Sequence, residues 1–100
     1  MANVLLEIIF NAVDLRNVGI EGRDEIEQPL DEALSGSGLG EITGGGGGNQ
    51  VAIVDVEIED EERLEDALSI IRAVLRSLRV PRSTNIKRSK PTKASYGVYD

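Results

Sequence analysis

The chain has 100 residues, 40% of them apolar and only 3% aromatic, so we expect one domain whose core is built from aliphatic side chains. Cysteine and histidine are both absent, which excludes disulfides, cysteine-ligated metals and the side chain that most easily titrates near neutral pH. The net charge of −7 is unevenly distributed, because residues 1–62 hold 15 acidic side chains against two arginines, while residues 63–100 hold nine basic side chains against three acidic ones.

The amino-terminal residues do not resemble an export signal. No basic residue precedes the first apolar run, and Glu7 interrupts that run. The longest uncharged apolar run in the chain is far shorter than the roughly 20 residues of a membrane-spanning helix. We therefore expect a cytoplasmic protein with no contact to a membrane.

The first elements in chain order are a strand, a loop and a helix. Residues 4–10 are rich in branched apolar side chains and too few for an ordinary helix, which predicts a buried strand. Residues 11–22 show no clear period and predict a loop. From Asp24 onward, apolar residues recur at helical spacing, and these are Ile26, Leu30, Ala33 and Leu34. Pro29 removes one hydrogen bond of this helix, and the glycines that follow Leu34 stop it.

The five consecutive glycines at 44–48 predict a chain reversal, since glycine adopts positive φ without strain and weakens the interior of helices and strands. Residues 39–43 before them predict a short strand. Residues 51–59 after them predict a longer strand, whose side chains alternate strictly between apolar and acidic from Val54 onward. We therefore expect a β-hairpin with the glycines at a loose, mobile tip.

A second helix is predicted from Asp60, whose side chain can cap it. Its apolar face consists of Leu64, Leu68, Ile71, Leu75 and Leu78. The helix ends before Pro81, and a last strand at 83–88 follows with Ile86 pointing inward. Residues 89–95 are polar and predict irregular structure.

The element order β-α-β-β-α-β predicts an α+β fold of the ferredoxin-like type, in which two helices cover one face of a four-stranded antiparallel sheet. We expect the domain to span residues 1–88. Residues 89–100 form a polar carboxyl-terminal tail in this prediction, and the segment from Tyr96 to Tyr99 docks on the domain or adds a short strand.

The alternation in the third strand divides the sheet into a face covered by helices and an open face. If Val54, Val56 and Ile58 pack against the helices, the residues between them point away, and the first strand adds side chains to the same open face. We expect this face to contact a protein partner or a second copy of the chain, because contiguous exposed aliphatic area commonly marks an interface. The alternative is that the tail covers it. The candidate interface residues are Leu5, Glu7, Ile9, Val51, Ile53, Asp55 and Glu57.

The charged residues suggest two other kinds of site. Glu7 and Asp55 are expected to be neighbours on the central strands, and with Glu41 they are candidate ligands of a divalent cation, although Lys87 or Arg88 on the last strand can neutralise them. The glycine run does not match a phosphate-binding loop, because no Lys-Ser or Lys-Thr pair follows it and the next element is a strand. Nucleic acid is not an expected partner, since the aromatic residues are not interleaved with the basic ones.

The chain resembles small uncharacterised bacterial proteins of the α/β-plait type at residues 31–34 and 38–46, and later at Ile71-Arg72, Val74-Leu75-Arg76 and Val80-Pro81. The resemblance spans about residues 24–88. It implies the plait fold, and it implies no activity and no catalytic residue, because proteins of this fold include enzymes, regulators and adaptors.

We expect a non-catalytic protein-binding or regulatory domain without a cofactor, because no serine has a histidine to activate it and the lysines cluster in the polar tail. An immunity-type inhibitor of a basic toxin is one concrete form, suggested by the small size and the acidic first half. The alternative is a regulatory domain that binds a small ligand or a divalent cation. An enzyme is the third choice.

Overall fold

The computed structural model describes residues 3–90 and 92–99, in which five strands and three α-helices form. The strands are β1 (Val4–Asn11), β2 (Gly40–Gly48), β3 (Val51–Ile58), β4 (Asn85–Lys90) and β5 (Ala94–Gly97). The helices are α1 (Ala12–Asn17), α2 (Asp24–Ser37) and α3 (Leu64–Ser77), and a 3₁₀ turn at Glu61–Arg63 leads into α3. None of the helices in these described ranges is long and apolar enough to cross a membrane.

The strands form one open antiparallel sheet in the order β2-β3-β1-β4-β5, so the fold is α+β. The two long helices, α2 and α3, pack on each other and share one hydrophobic core with the sheet. This confirms the predicted class and the predicted order β1-α2-β2-β3-α3-β4. The structure has one helix more than predicted, α1, and one strand more than the predicted four, β5, which overlaps the short strand that the sequence offers as one possibility for Tyr96 to Tyr99.

The additional helix α1 lies where the sequence predicted a loop. Asn11 caps it, since Oδ1 of Asn11 accepts a hydrogen bond from the backbone nitrogen of Asp14 at 3.0 Å. Leu15 on the helix and Ile20 after it are buried in the core. A helix of six residues is too short to display the helical period in the sequence, which is why the prediction missed it.

The side chains of β1 and β3 alternate between the two faces of the sheet as predicted. The helix-covered side holds the apolar residues at every second position, and all of these except Ala52 are buried. They are Val4, Leu6, Ile8 and Phe10 on β1, and Ala52, Val54, Val56 and Ile58 on β3. The residues between them point to the other side, so the predicted division of the sheet into two faces is confirmed.

The five glycines do not form the hairpin tip, so the predicted reversal at 44–48 is wrong. They are the second half of β2 and pair with residues 51–55 of β3. The turn consists of Asn49 and Gln50, whose φ angles of 47° and 71° are those of a type I′ turn. Strand β3 is rich in β-branched residues and is paired on both sides, and this tertiary context outweighs the weak strand preference of glycine.

The long helix α3 and the strand after it agree with the prediction in type and differ slightly in bounds. Asp60 caps the 3₁₀ turn through a hydrogen bond from the backbone nitrogen of Glu62 to Oδ1 of Asp60 at 2.9 Å. The helix ends three residues earlier than Val80, and Arg79 takes a left-handed φ of 58° in the turn that follows. Ile86 of β4 is fully buried, as expected.

The carboxyl-terminal segment extends the sheet and docks on the helix side. Strand β5 pairs with β4, and the Nε atoms of Arg72 and Arg76 on α3 donate hydrogen bonds to the carbonyl oxygens of Gly97 at 2.8 Å and Val98 at 2.7 Å. Val98 is buried in the core, and the hydroxyl of Tyr99 donates a hydrogen bond to the carbonyl oxygen of Val80, which follows α3. The segment therefore does not lie across the open face.

Candidate functional site

The open face of the sheet, which is the face opposite α2 and α3, carries all seven residues that the sequence predicts as an interface. Six of the seven are partly exposed, and Val51 is 38% exposed. The aliphatic members do not belong to the hydrophobic core, because both long helices and the carboxyl-terminal segment pack on the other side of the sheet. The seven residues are Leu5, Glu7 and Ile9 on β1, and Val51, Ile53, Asp55 and Glu57 on β3.

Strand register aligns charged side chains across the middle of the open face. Asp55 on β3 is the direct partner of Glu7 on β1, and Glu7 is also the direct partner of Lys87 on β4. Gly44 and Ser95 extend this row at its two ends. Directly opposite residues have Cβ atoms about 5 Å apart, so the two carboxylates repel each other and the lysine attracts the nearer one. The open face is therefore acidic toward β2 and basic toward β4.

In the next row of cross-strand partners on the open face, two residues farther along β1, the side chains are apolar. Ile9 and Ile53 are direct partners, and Val51 lies on the same side of β3. Gly46 is the partner of Ile53 on β2 and adds no side chain, so the aliphatic groups border bare backbone. Leu5 lies on the far side of the charged row. We call Ile9, Val51 and Ile53 the aliphatic patch.

The three candidate cation ligands do not all come together. Glu7 and Asp55 are neighbours as the sequence suggests, but Glu41 is paired with Glu57. Among the residues that the structure describes, no group of three or more acidic side chains is arranged to hold a metal ion. Two adjacent carboxylates can share a proton or a cation. Here Lys87, the partner of Glu7 on β4, supplies a positive charge in place of a bound cation.

The helix-covered side of β2 has a contact that sequence reasoning missed. The Nη1 atom of Arg23 donates a hydrogen bond to the carbonyl oxygen of Ile53 at 3.2 Å, and its guanidinium lies against Gly45. A Cβ atom at Gly45 would overlap this guanidinium and lie 2.5 Å from the Ile53 oxygen. Glycine is therefore required at this position. Nothing in the sequence indicates the contact, because it depends on residues 22 positions apart that only the fold brings together.

A groove of about 520 Å³ lies between α2 and the edge strand β2, and sequence reasoning missed it as well. Its helix wall carries Asp24, Glu27, Gln28 and Asp31. Its strand wall consists of Ile42, Thr43 and Gly44. The three acidic residues are spaced so that they share one side of the helix, which the sequence shows, but only the fold places β2 beside them. We call this surface the acidic groove.

Scans against protein families, curated proteins and solved structures found no match to this chain.

Proposed function

We propose that the protein is a non-catalytic protein-binding domain of ferredoxin-like fold and that it binds its partner through the open face. The observation that carries this proposal is the aliphatic patch. Three large aliphatic side chains are neighbours on a face against which neither the two long helices nor the carboxyl-terminal segment packs. An apolar centre with a charged rim is the usual anatomy of a protein–protein interface, and Glu7, Asp55 and Lys87 supply the rim here.

The connectivity supports the ferredoxin-like assignment. The first four strands have the spatial order β2-β3-β1-β4, all pairs are antiparallel, and a long helix follows β1 and another follows β3. Two β-α-β halves joined by a hairpin give this arrangement. Strand β5 is then an addition at the β4 edge, and it leaves the open face uncovered.

The size of the aliphatic patch suits the centre of a small interface. Complete burial of one large aliphatic side chain contributes about 1.5–3 kcal/mol, and Ile9 and Ile53 are already partly buried, so a partner gains a fraction of that from each. A few such residues at the centre commonly supply most of the binding free energy. The charged row beside the patch then favours a partner with opposite charges in matching positions.

An immunity-type inhibitor is the concrete form that the charge distribution favours. The acidic first half of the chain supplies β1, β2, β3 and α2, so the side of the open face toward β2 is acidic. A basic partner would be attracted over long distances and would associate rapidly at low salt. The alternative, a cation-binding regulatory domain, rests on the pairing of Glu7 with Asp55 alone.

A photo-crosslinking experiment tests the open face directly. A photoreactive amino acid in place of Ile53 is expected to capture a protein partner in cells of the source organism, whereas the same amino acid in place of Ser69, which is exposed on α3, captures none. Adding Ile9→Asp to the Ile53 derivative should abolish the product, because burying an unpaired carboxylate in the contact costs several kcal/mol.

Circular dichroism and the thermal midpoint establish that the Ile9→Asp chain is folded. The mass of the crosslinked product distinguishes a different protein from a second copy of this chain. Equal capture from positions 53 and 69, or capture that survives Ile9→Asp, would contradict the proposal.

A further inference from the structure

We propose that the outer edge of β2 binds an extended, basic segment of another protein, which adds to the sheet as a further strand. β2 is the terminal strand and pairs with β3 alone. In the described ranges, no backbone hydrogen bond joins its outer edge to another element. The outward N–H and C=O groups of such a strand are a template on which an extended peptide pairs.

In β2 the features that close a sheet edge are confined to the first half of the strand. The opposite edge strand, β5, has only four residues, whereas β2 has nine. Proteins protect long edges with bulges, proline or charged side chains. In β2 the irregularity in pairing at Thr43 and the charge of Glu41 both lie in the first half of the strand. The half from Gly44 to Gly48 is open backbone.

Packing within the chain explains only part of the glycine run. Gly45 is required by its contacts with Arg23 and Ile53, and Gly48 has a φ of 147° that residues with side chains rarely adopt. By contrast, a Cβ atom at Gly46 would meet no atom within 4 Å, and one at Gly44 would make an ordinary contact of 3.7 Å. Glycine inside a strand often marks the close approach of another backbone. The two glycines with free space are on the open face, beside the edge.

Acidic residues on both sides of this edge define the chemistry of the added strand. On the helix side, the acidic groove presents Asp24 and Asp31 next to Ile42 and Gly44, together with Glu27, which is ion-paired with Arg23 at 3.9 Å. On the open side, Glu41 lies opposite Glu57, and Asp55 lies opposite Gly44. Successive side chains of a strand point to opposite faces, so the residues of the added strand beside Glu41–Gly44 face these two acidic surfaces. Farther along the edge, Arg23 lies against Gly45 and the aliphatic patch lies beside Gly46. A segment with lysine or arginine residues beside Glu41–Gly44 therefore complements this edge.

A second copy of the chain is a poorer occupant of the same edge. Antiparallel pairing of two β2 strands about a two-fold axis places the two α2 helices side by side on one face of the joined sheet. Each helix then presents Asp24, Glu27 and Asp31 to the other. The like charges oppose this pairing, whereas a basic segment is attracted by the same residues.

This inference goes beyond the proposed function, because the edge of β2 and the aliphatic patch are separate surfaces. One partner can contact both, or two partners can each use one. Variants in the acidic groove leave Ile9 and Ile53 unchanged, so the two proposals are tested separately.

The binding test uses the full chain and a capped synthetic peptide of alternating lysine and threonine with nine residues, the length of β2. Fluorescence anisotropy at low ionic strength measures its affinity, and the amide resonances of residues 41–48 report where it binds. We expect saturable binding with the largest shifts on β2. The same peptide methylated at every central amide nitrogen keeps its charge and loses its strand donors, and we expect its affinity to fall about tenfold or more.

Two matched double variants distinguish the effect of charge in the acidic groove from the effect of the total charge of the chain. Asp24→Asn with Asp31→Asn removes two of the three acidic charges of the groove, and Glu32→Gln with Glu61→Gln removes the same total charge at exposed positions outside it. We expect the first pair to weaken binding about tenfold and the second to change it less than about twofold.

Several outcomes would overturn the proposal. These are equal affinities of the methylated and unmethylated peptides, equal effects of the two double variants, resonance shifts centred away from β2, or no binding at all. Dimerisation of the unliganded chain through β2, detected by sedimentation and by the same resonances, would show instead that a second copy occupies the edge.

Discussion

At the scale of single residues, the glycine run contains positions with different physical roles. Gly45 has no room for a Cβ atom, because the Arg23 guanidinium and the Ile53 carbonyl occupy that space. Gly46, the next residue, has open space around the same position and is not one of the glycines with positive φ. Packing therefore requires glycine at position 45 but not at position 46, although the sequence is the same at both.

We expect alanine to lower stability at position 45 and to raise it at position 46. Gly45→Ala displaces Arg23 and crowds a backbone oxygen, so we expect the free energy of unfolding to fall by about 1–3 kcal/mol. Gly46→Ala reduces the freedom of the unfolded chain without a clash, so we expect a gain of about 0.5–1 kcal/mol. Urea denaturation of both variants measures the difference. Equal effects at the two positions would show that the Arg23 contact does not constrain β2.

Arg79 is a second residue whose backbone conformation is unfavourable for its side chain. It follows the end of α3 with a φ of 58°, and the backbone nitrogen of Val80 donates back to the carbonyl of Leu75 at 3.2 Å. Glycine is the usual residue at such a helix end. We expect Arg79→Gly to raise the free energy of unfolding by about 0.5–1 kcal/mol, because residues with a Cβ atom are strained in the left-handed region.

The control for Arg79→Gly is an arginine with ordinary backbone geometry. Arg63 precedes α3 with a φ of −101°. Arg63→Gly should lower the free energy of unfolding by about 0.5–1 kcal/mol, since glycine only adds freedom to the unfolded chain there. If both glycine variants lower stability, the left-handed conformation of Arg79 is not strained.

At the scale of elements, the predictions succeeded where the sequence pattern is long and regular. β3 has a period of two residues from Val54 and α3 a period of about 3.6, and their buried faces follow those periods, while β1 is marked by a run of branched apolar residues. The alternation in β3 predicts the open face, and the predicted plait topology, with β1 and β3 as neighbouring central strands, places Glu7 close to Asp55, as the register confirms. A period thus carries enough information to place a side chain on a face.

The elements that the sequence did not reveal depend on partners far along the chain. β2 becomes a strand because β3 pairs with it, and the tight turn at Asn49 and Gln50 sets the register. α1 depends on one capping residue and on the burial of Leu15. The acidic groove and the Arg23 contact exist only once α2 lies beside β2. Local propensity does not encode which elements become neighbours, so the sequence does not predict the acidic groove.

At the scale of the whole molecule, the division of charge along the chain becomes a division across the sheet. The acidic first part supplies β2 and β3 at one edge, and the basic last part supplies β4 and β5 at the other. Some of the basic residues have an internal role, since Arg72 and Arg76 bind the backbone of residues 97 and 98. The Arg82 guanidinium lies 5.1 Å from the centre of the Tyr99 ring. Arg72 and Arg76 therefore attach the carboxyl-terminal segment to α3, and Arg82 contacts it from the loop after that helix.

The carboxyl-terminal segment is therefore expected to contribute to the stability of the whole fold. Deletion of residues 92–100 removes the pairing of β5, the burial of Val98 and the hydrogen bonds from Arg72 and Arg76. We expect the free energy of unfolding, measured by urea denaturation, to fall by about 3–5 kcal/mol. Such a loss is a large part of the 5–15 kcal/mol that roughly spans the stability of small domains, so partial unfolding at moderate temperature is expected as well.

Two valine variants distinguish the contribution of core packing by this segment from that of its strand pairing and arginine contacts. Val98 is 2% exposed, and Val98→Ala should lower the free energy of unfolding by about 1–3 kcal/mol through lost contacts in the core. Val18 is 48% exposed, and Val18→Ala should change it by less than about 0.5 kcal/mol. If the deletion costs no more than Val98→Ala alone, the arginine and strand contacts add nothing to stability. If neither change lowers it, the segment is not part of the cooperative unit.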